Sequence, residues 1–307
     1  MTLFQSMRRG LARGLAGTLL LAACAGMARA DGAAVWSMKG EHNTVYLAGS
    51  VHALPKDHAE FSPELEAAYQ ASTTIVMEVD LDDLDPYEAV QFVNTHGTVQ
   101  PPNTLATIIG PERYASVVKV AESLQLPEAA ISRLEPWAAA MVLTQYALMK
   151  SGFEPQLGID MQVVDRARTD HKRIDGLESI IDQLSIFDSR SMDEQGKFLV
   201  DAANDVPKMH DDLERLINAW RSGDLRGLER EFVKERAQAP ALYDQLLGVR
   251  NRKWLPQIEA LLNADHNVLV LVGTLHFVGH DGLLELLKRA GYKPEPLAAG
   301  SSGNQTR

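Results

Sequence analysis

Two stretches of this chain, one near each end, are written in the same order. Thr44-Val45-Tyr46-Leu47-Ala48 runs into Gly49-Ser50-Val51-His52, and Asn267-Val268-Leu269-Val270-Leu271-Val272 runs into Gly273-Thr274-Leu275-His276. Each apolar run is short, rich in β-branched residues and halted by glycine, the text of a buried strand that ends in a sharp turn. Each copy is followed by a helix and a further strand. After His52, Ser62-Pro63-Glu64 opens an amphipathic helix and Thr73 to Glu78 reads as a buried strand. After His276, a helix over Gly282 to Ala290 stops at Gly291, and a last strand lies near Tyr292 to Leu297. The repetition predicts an α/β (α+β) fold, with a central mixed sheet built from both ends of the chain and flanked by helices. A large helical insertion separates the two Gly-x-x-His motifs.

The elements around this frame follow from local text. Val35 to Lys39 and the Thr44 strand flank Gly40-Glu41-His42-Asn43, a turn-like segment, and predict a hairpin. Residues from about 86 to 264 are mostly helical, with helices expected over Arg113–Leu124, Pro136–Met149, Asp160–Arg168, Asp193–Trp220 and Asn251–Leu262. Lys172 to Leu177 reads as a short strand, Asp224 as a cap, and Pro136-Trp137 as the buried start of an apolar helix.

Residues 1–30 stand apart from the fold. Arg8, Arg9 and Arg13 precede a short apolar run from Leu15 to Ala23, which predicts a signal peptide rather than a membrane span. Ala28-Arg29-Ala30 offers an ordinary cleavage site, and Leu21-Ala22-Ala23-Cys24 a lipobox that would place a lipid on Cys24. Either route predicts an exported protein, periplasmic or lipid-anchored, touching the membrane only through that anchor. Cys24 is the single cysteine, so there is no internal disulfide, and if cleavage falls at Ala30 the mature chain has no cysteine for catalysis or metal. A mature domain over 31–299 has roughly 270 residues, enough for a sizeable core. Residues 300–307 form a polar tail, expected to be disordered. A net charge of −11 argues against nucleic acid, whose phosphates need a basic face.

The chemistry concentrates at the strand ends. Open α/β sheets place their ligand crevice at the carboxyl ends of strands. If the strands are parallel neighbours, His52, Glu78 and His276 meet at one rim. Two histidines and a carboxylate form a ligand set for a divalent metal (Zn, Mn, Co or Fe), and a bound metal acidifies water and polarises a carbonyl. The same residues can act without metal, one histidine as general base oriented by Glu78. A lone Gly-x-x-His is common and carries little; two, each behind a strong strand, carry more. Arg250 is either a fork of donors for an anionic intermediate or a surface arginine at a helix start. Asp160 reads first as a helix cap and second as a support for the site. His280, four residues past His276, ranks below the two motif histidines because Gly279 and Gly282 interrupt a helix there. His42, His58, His96, His171, His210 and His266 read as solvated. Ser50 is a weak nucleophile candidate. Walker, His-Glu-x-x-His and Gly-x-Ser-x-Gly patterns are absent.

These residues resemble a known family. Val35-Trp36 and the run Val45 to Pro55, Ile75 to Glu78, Pro136-Trp137, Gly158-Ile159-Asp160, Gly176-Leu177-Glu178, Arg250-Asn251, and Leu271 to His276 with Gly279, Gly282 and Gly291-Tyr292 fall in the order of TraB/GumN proteins. The resemblance spans Val35 to Tyr292. Its wider group includes the animal TIKI proteins, membrane-tethered Mn- or Co-dependent metalloproteases that clip the amino terminus of Wnt ligands, and is similar in fold to erythromycin esterases and the haem-binding ChaN. It implies a metal at His52, Glu78 and His276, Mn or Co before Zn or Fe, with Glu78, Arg250 and Asn251 as catalytic candidates. Ser179 departs from the threonine many relatives carry. The resemblance does not transfer a substrate. The expectation is an exported metal-dependent hydrolase, with a peptidase as its narrower form, acting on an unidentified peptide or ester in the envelope. The rivals are a non-catalytic protein binding haem or another envelope ligand, and an accessory of polysaccharide or conjugation machinery.

Overall fold

The computed structural model describes residues 34–56 and 60–297. The signal segment with Cys24 and Ala30, His58 and the 300–307 tail lie outside the described residues. Strands β1 (Val35–Lys39) and β2 (Thr44–Ser50) form the expected hairpin, followed by helix α1 (Pro63–Ala71) and β3 (Thr74–Met77). The middle runs through α2 (Pro86–His96), α3 (Leu105–Ile109), α4 (Pro111–Ser123), α5 (Pro136–Lys150), α6 (Ile159–Thr169), β4 (Arg173–Gly176), α7 (Ile180–Asp188), α8 (Met192–Asp205), α9 (Met209–Arg221), α10 (Leu225–Gln238), α11 (Pro240–Tyr243) and α12 (Arg250–Leu261). The chain closes with β5 (Val268–Gly273), α13 (Leu283–Arg289) and the short β6 (Glu295–Pro296).

The strands form one mixed sheet in the order β4-β3-β5-β2-β1-β6. β4, β3, β5 and β2 are parallel to one another, while β1 pairs antiparallel with β2 and with β6. Every residue of β5 is buried, which is what its unbroken Val-Leu alternation requires of a central parallel strand. The two ends of the chain therefore do build the sheet. The middle adds one thing the motif order did not give: β4 leaves the helical region to extend the sheet beyond β3.

Two other elements differ from expectation. The helix anticipated over Asp193–Trp220 is two helices, α8 and α9, separated by a 3-10 turn over Val206–Lys208. Pro207 lies in that turn, and its missing N–H and fixed φ do not continue an α-helix. The final strand covers only Glu295–Pro296, because proline cannot donate to a longer ladder.

The main core covers both faces of the sheet, with Ile75, Leu269 and Leu271 on one face, Leu47 and Val270 on the other, and Trp254, Ile258 and Tyr69 among its helical members. A second core forms within the insertion, from Leu105, Ile109, Val117, Leu143 and Leu199. Trp137 is 1% exposed, the buried helix anchor expected of it.

Candidate functional site

β5 lies between β2 and β3, with Ser50 opposite Gly273 and Met77 opposite Leu271. All three strands end at the same edge. The chain carries His52 two residues beyond β2, Glu78 one residue beyond β3, and His276 in the 3-10 turn Thr274–Phe277 directly after β5. Their meeting point is Gly273. A Cβ there would lie 3.1 Å from Glu78 Oε1, 3.4 Å from His52 Nε2 and 3.7 Å from His276 Cδ2. The Gly273 N–H donates to Glu78 Oε1 at 2.7 Å.

His52 is fixed from the insertion. Its Nδ1 lies 2.9 Å from Asp160 Oδ2, and Ser50 Oγ donates to Asp160 Oδ1 at 2.7 Å. Asp160 reaches this far because α6 begins almost against the His52 turn: a Cβ on Gly158 would stand 2.3 Å from the His52 carbonyl oxygen. Only glycine permits that approach. Ile159 N–H adds a 2.9 Å bond to Val51 O. The attraction of Asp160 outweighs desolvation and raises the His52 pKa to about 9. The ring itself is 69% exposed, so it stands at the rim with its Nε2 side turned to Gly273.

His276 is the opposite case. It is 3% exposed and lies against Trp254, the ring centroids 4.5 Å apart and the planes tilted by 38°. Asn251 Nδ2 donates to His276 O and Asp281 O, which leaves Asn251 Oδ1 as the acceptor facing His276 Nδ1 at 2.6 Å. Nδ1 therefore carries the proton and Nε2 carries a lone pair. Burial pushes the imidazole down to about 3, so it is neutral at physiological pH.

Arg250 joins the two halves. Its guanidinium donates to Glu178 Oε1 at 2.9 and 2.6 Å, to Glu78 Oε2 at 2.5 Å and to Leu246 O at 2.8 Å, and its Nη1 lies 3.1 Å from His276 Nε2. It also covers the Trp254 ring at 4.6 Å. Burial pushes the Glu78 carboxyl up, but the adjacent His276 ring, the positive charges of His52 and Arg250 and the Gly273 N–H reverse this and hold it well below the usual carboxylate range. Gln183 Nε2 donates to the same carboxylate at 3.1 Å.

A cleft of about 300 Å³ opens on this cluster, bordered by His52, Glu78, Arg250, Gly273 and His276 on one side and by leucines on the other. A second hollow of about 230 Å³, lined by Asp160, Val79 and Gln183, meets the same His52 and Glu78. A larger hollow of about 430 Å³ lies beside Trp137 and α8, away from these residues.

The structure thus brings His52, Glu78, His276, Arg250, Asn251 and Asp160 together. It leaves His280 out: that ring is 80% exposed and contacts Asp281 and Arg289. Asp160 is not a helix cap, since Gly158 holds the cap position of α6. Arg250 is not a surface residue at a helix start, because the π-turn Asp244–Val249 runs straight into α12 and buries it. Ser50 serves Asp160 rather than standing free as a nucleophile. Ser179 caps α7 in a reciprocal box with Asp182. His210 bonds Ser151 O and His266 lies 3.0 Å from Thr74 Oγ1, so neither is simply solvated.

Sequence reasoning gave no role to Glu178, whose side chain is 2% exposed between Arg250 and Trp254 Nε1. A signal was present: Glu178 follows β4 closely, as Glu78 follows β3, and its N–H bonds the Glu78 carbonyl at 3.0 Å. Thr274 Oγ1, in the same turn as His276, is buried and has no hydrogen-bond partner among the described residues.

Over 246 residues the chain is 22% identical to the uncharacterized protein YbaP of Escherichia coli (strain K12), covering 79% of this chain and 87% of that one. YbaP of Shigella flexneri matches to the same extent. No solved structure matches. The sequence model of the TraB/PrgY/gumN family matches residues 34–296, nearly the whole described chain, and the protein belongs to that family.

Proposed function

We propose that the protein is an exported metal-dependent hydrolase, acting on an ester or peptide bond placed between His52, Glu78 and His276. The observation that carries this reading is the convergence of these three side chains on Gly273 at the ends of three adjacent parallel strands. Export rests on the signal-like text of residues 1–30.

The donor chemistry fits a divalent cation. Glu78 is ionised, His276 is neutral with its Nε2 lone pair fixed by Asn251, and His52 has its Nδ1 side taken by Asp160, so a cation would take Nε2 in place of the proton that the raised pKa keeps there. Carboxylate and amide partners behind ligating histidines are the usual support of such sites. Among the described residues no three His, Cys, Asp or Glu side chains are spaced around one ion, and Arg250 bonds both Glu78 and His276. His52, Glu78 and His276 would hold a cation only with the guanidinium off His276 Nε2, and its two bonds to Glu178 give it another partner. When bound, the metal supplies an acidified water and a polarised carbonyl. Arg250, fixed beside the cluster, is placed to offset negative charge developing on the substrate.

A metal-free route rests on a separate observation, the His52–Asp160 pair, which holds a protonated imidazole at the rim as a general acid. Metal content of the purified full chain separates the two. About one equivalent of Mn, Co or Zn after loading, lost in His52→Ala and in His276→Ala with the fold intact, supports the metal enzyme. Turnover with no metal uptake under any loading moves the reaction to His52 alone, and unchanged stoichiometry in both variants removes these residues from the metal site.

A further inference from the structure

We propose that the site takes a substrate with an aliphatic group next to its scissile carbonyl, and that half-buried leucines from four separate elements bind that group. The inference rests on the reading that the reacting bond lies at His52, Glu78 and His276. It concerns the other wall of the same cleft.

That wall is made by Leu148 of α5, Leu213 and Leu216 of α9, Leu246 and Leu247 of the π-turn, and Leu275 beside His276. These side chains are neither core nor surface: each is intermediate in exposure. On α9, Leu213, Leu216 and Ile217 line the cleft, and Trp220, one turn further along the same face, is buried with its Nε1 donating to Gly49 O at 2.7 Å. The face that pins the helix to the catalytic edge is thus the one that offers aliphatic side chains to the cleft. The charged groups bordering this cleft are Glu78, Arg250 and the His52 ring, all of them in the site itself. Arg250 and Glu78 already pair with each other. The leucines themselves bring no charge and no polar side chain; the remaining polar groups of the lining are Ser50, bonded to Asp160, and the hydroxyl of Thr274 beside His276, unpartnered among the described residues. A straight or branched hydrocarbon suits that wall; a sugar or a charged side chain would be desolvated without compensation. The second hollow that meets His52 and Glu78 has Asp160 and Gln183 in its lining beside Met77, Val79, Leu81 and Ile180, and none of the leucines of this wall.

One chemistry has two sources here, a fatty-acyl ester or amide, and a peptide with a large aliphatic side chain at the cut. Binding is read first, on the full chain carrying His52→Ala so that no turnover intervenes, with n-alkyl amides of increasing length as probes. Affinity should rise about fourfold per added methylene until the cleft is filled. Leu216→Gln and, on a different helix, Leu148→Gln should each flatten that dependence while metal uptake in the otherwise wild-type chain and the circular-dichroism melt stay unchanged. Affinity that ignores chain length, or leucine variants that leave the dependence intact, overturns the inference even if metal uptake and hydrolysis are present. Length-dependent binding in a chain that takes up no metal and hydrolyses nothing upholds the aliphatic wall and removes the hydrolase reading instead. In the active wild-type chain, octanoyl over acetyl 4-nitrophenyl ester preference identifies the acyl source, and leucyl over glycyl peptide preference the peptide source. Activity on both types with no preference in either series overturns the inference.

Discussion

Asn251 Oδ1 stands 2.6 Å from His276 Nδ1, and its amide nitrogen holds the carbonyls of His276 and Asp281, so one side chain sets the ring's tautomer and its place. Replacing it by leucine keeps the volume but leaves two carbonyls and a ring nitrogen without partners in a buried setting. Asn251→Leu should cost about 1–3 kcal/mol in denaturant titration. Metal affinity should fall by about 10–100-fold, as when an outer partner of a ligating histidine is lost. A variant that loses stability alone, with metal affinity intact, would mean that His276 is not a ligand.

Arg250 is 9% exposed and bonded to two carboxylates whose side chains are 12% and 2% exposed. Taking away the cation leaves Glu78 and Glu178 facing each other with no counter-charge. Arg250→Met should therefore destabilise by about 3–5 kcal/mol, the range for breaking one side of a buried pair. Glu178→Gln in the same chain should recover part of the loss, giving a non-additive double-mutant cycle. Equal additive losses would show that the pair is not coupled.

The strand ends were legible because a buried parallel strand writes itself as an unbroken apolar run and glycine marks where it stops. His52, Glu78 and His276 could be placed on one rim from that text alone, once parallel neighbours were assumed. Their supports could not. Asp160 lies 108 residues from His52, and nothing local distinguishes a residue near a helix start that caps from one that reaches across to another loop. Arg250 looked like a surface residue because its burial depends on a π-turn continuing into α12 and on Trp254 folding over it. Glu178 was hidden for the same reason: its 2% exposure goes with its bonds to Arg250 and Trp254 on α12, more than 70 residues away, not with its own neighbours in sequence.

Gly273 sits at φ −51° and ψ 136°, a backbone that alanine adopts freely. What alanine lacks is room, since its Cβ would press on Glu78 Oε1 at 3.1 Å and approach both imidazoles. Gly273→Ala should keep the fold, at about 1–3 kcal/mol of overpacking, while metal uptake and turnover are lost. Retained uptake would move the ligand point away from Gly273.

Thr274→Val tests the orphan hydroxyl beside His276. A buried hydroxyl with no partner costs stability, and an isosteric methyl removes that cost, so the variant should melt at the same temperature or higher. If turnover falls while the melt rises, the hydroxyl is kept for the reaction; if both are unchanged, it has no part in it.

The ion pair between α1 and α6 sets the acid limit of one sheet flank. Arg166 donates to Glu66 Oε2 at 2.5 Å and Oε1 at 2.9 Å, and lies over the Phe61 and Tyr69 rings. The hydrogen bonds from Arg166 hold the Glu66 pKa down at about 2, below its ordinary value of 4.5. A carboxyl depressed in the folded state stabilises above its unfolded pKa and loses that contribution as pH falls through its folded pKa. The contribution should therefore be complete above about pH 5 and gone near pH 2. Both side chains are more than a third exposed, so solvent screening limits it to about 1 kcal/mol or less. Glu66→Gln should lower stability at pH 7 by that amount and reduce the slope of stability against pH between those limits, read by urea titration at several pH values. A slope identical to that of the wild type would show that Glu66 is titrating as a free carboxyl in the folded chain.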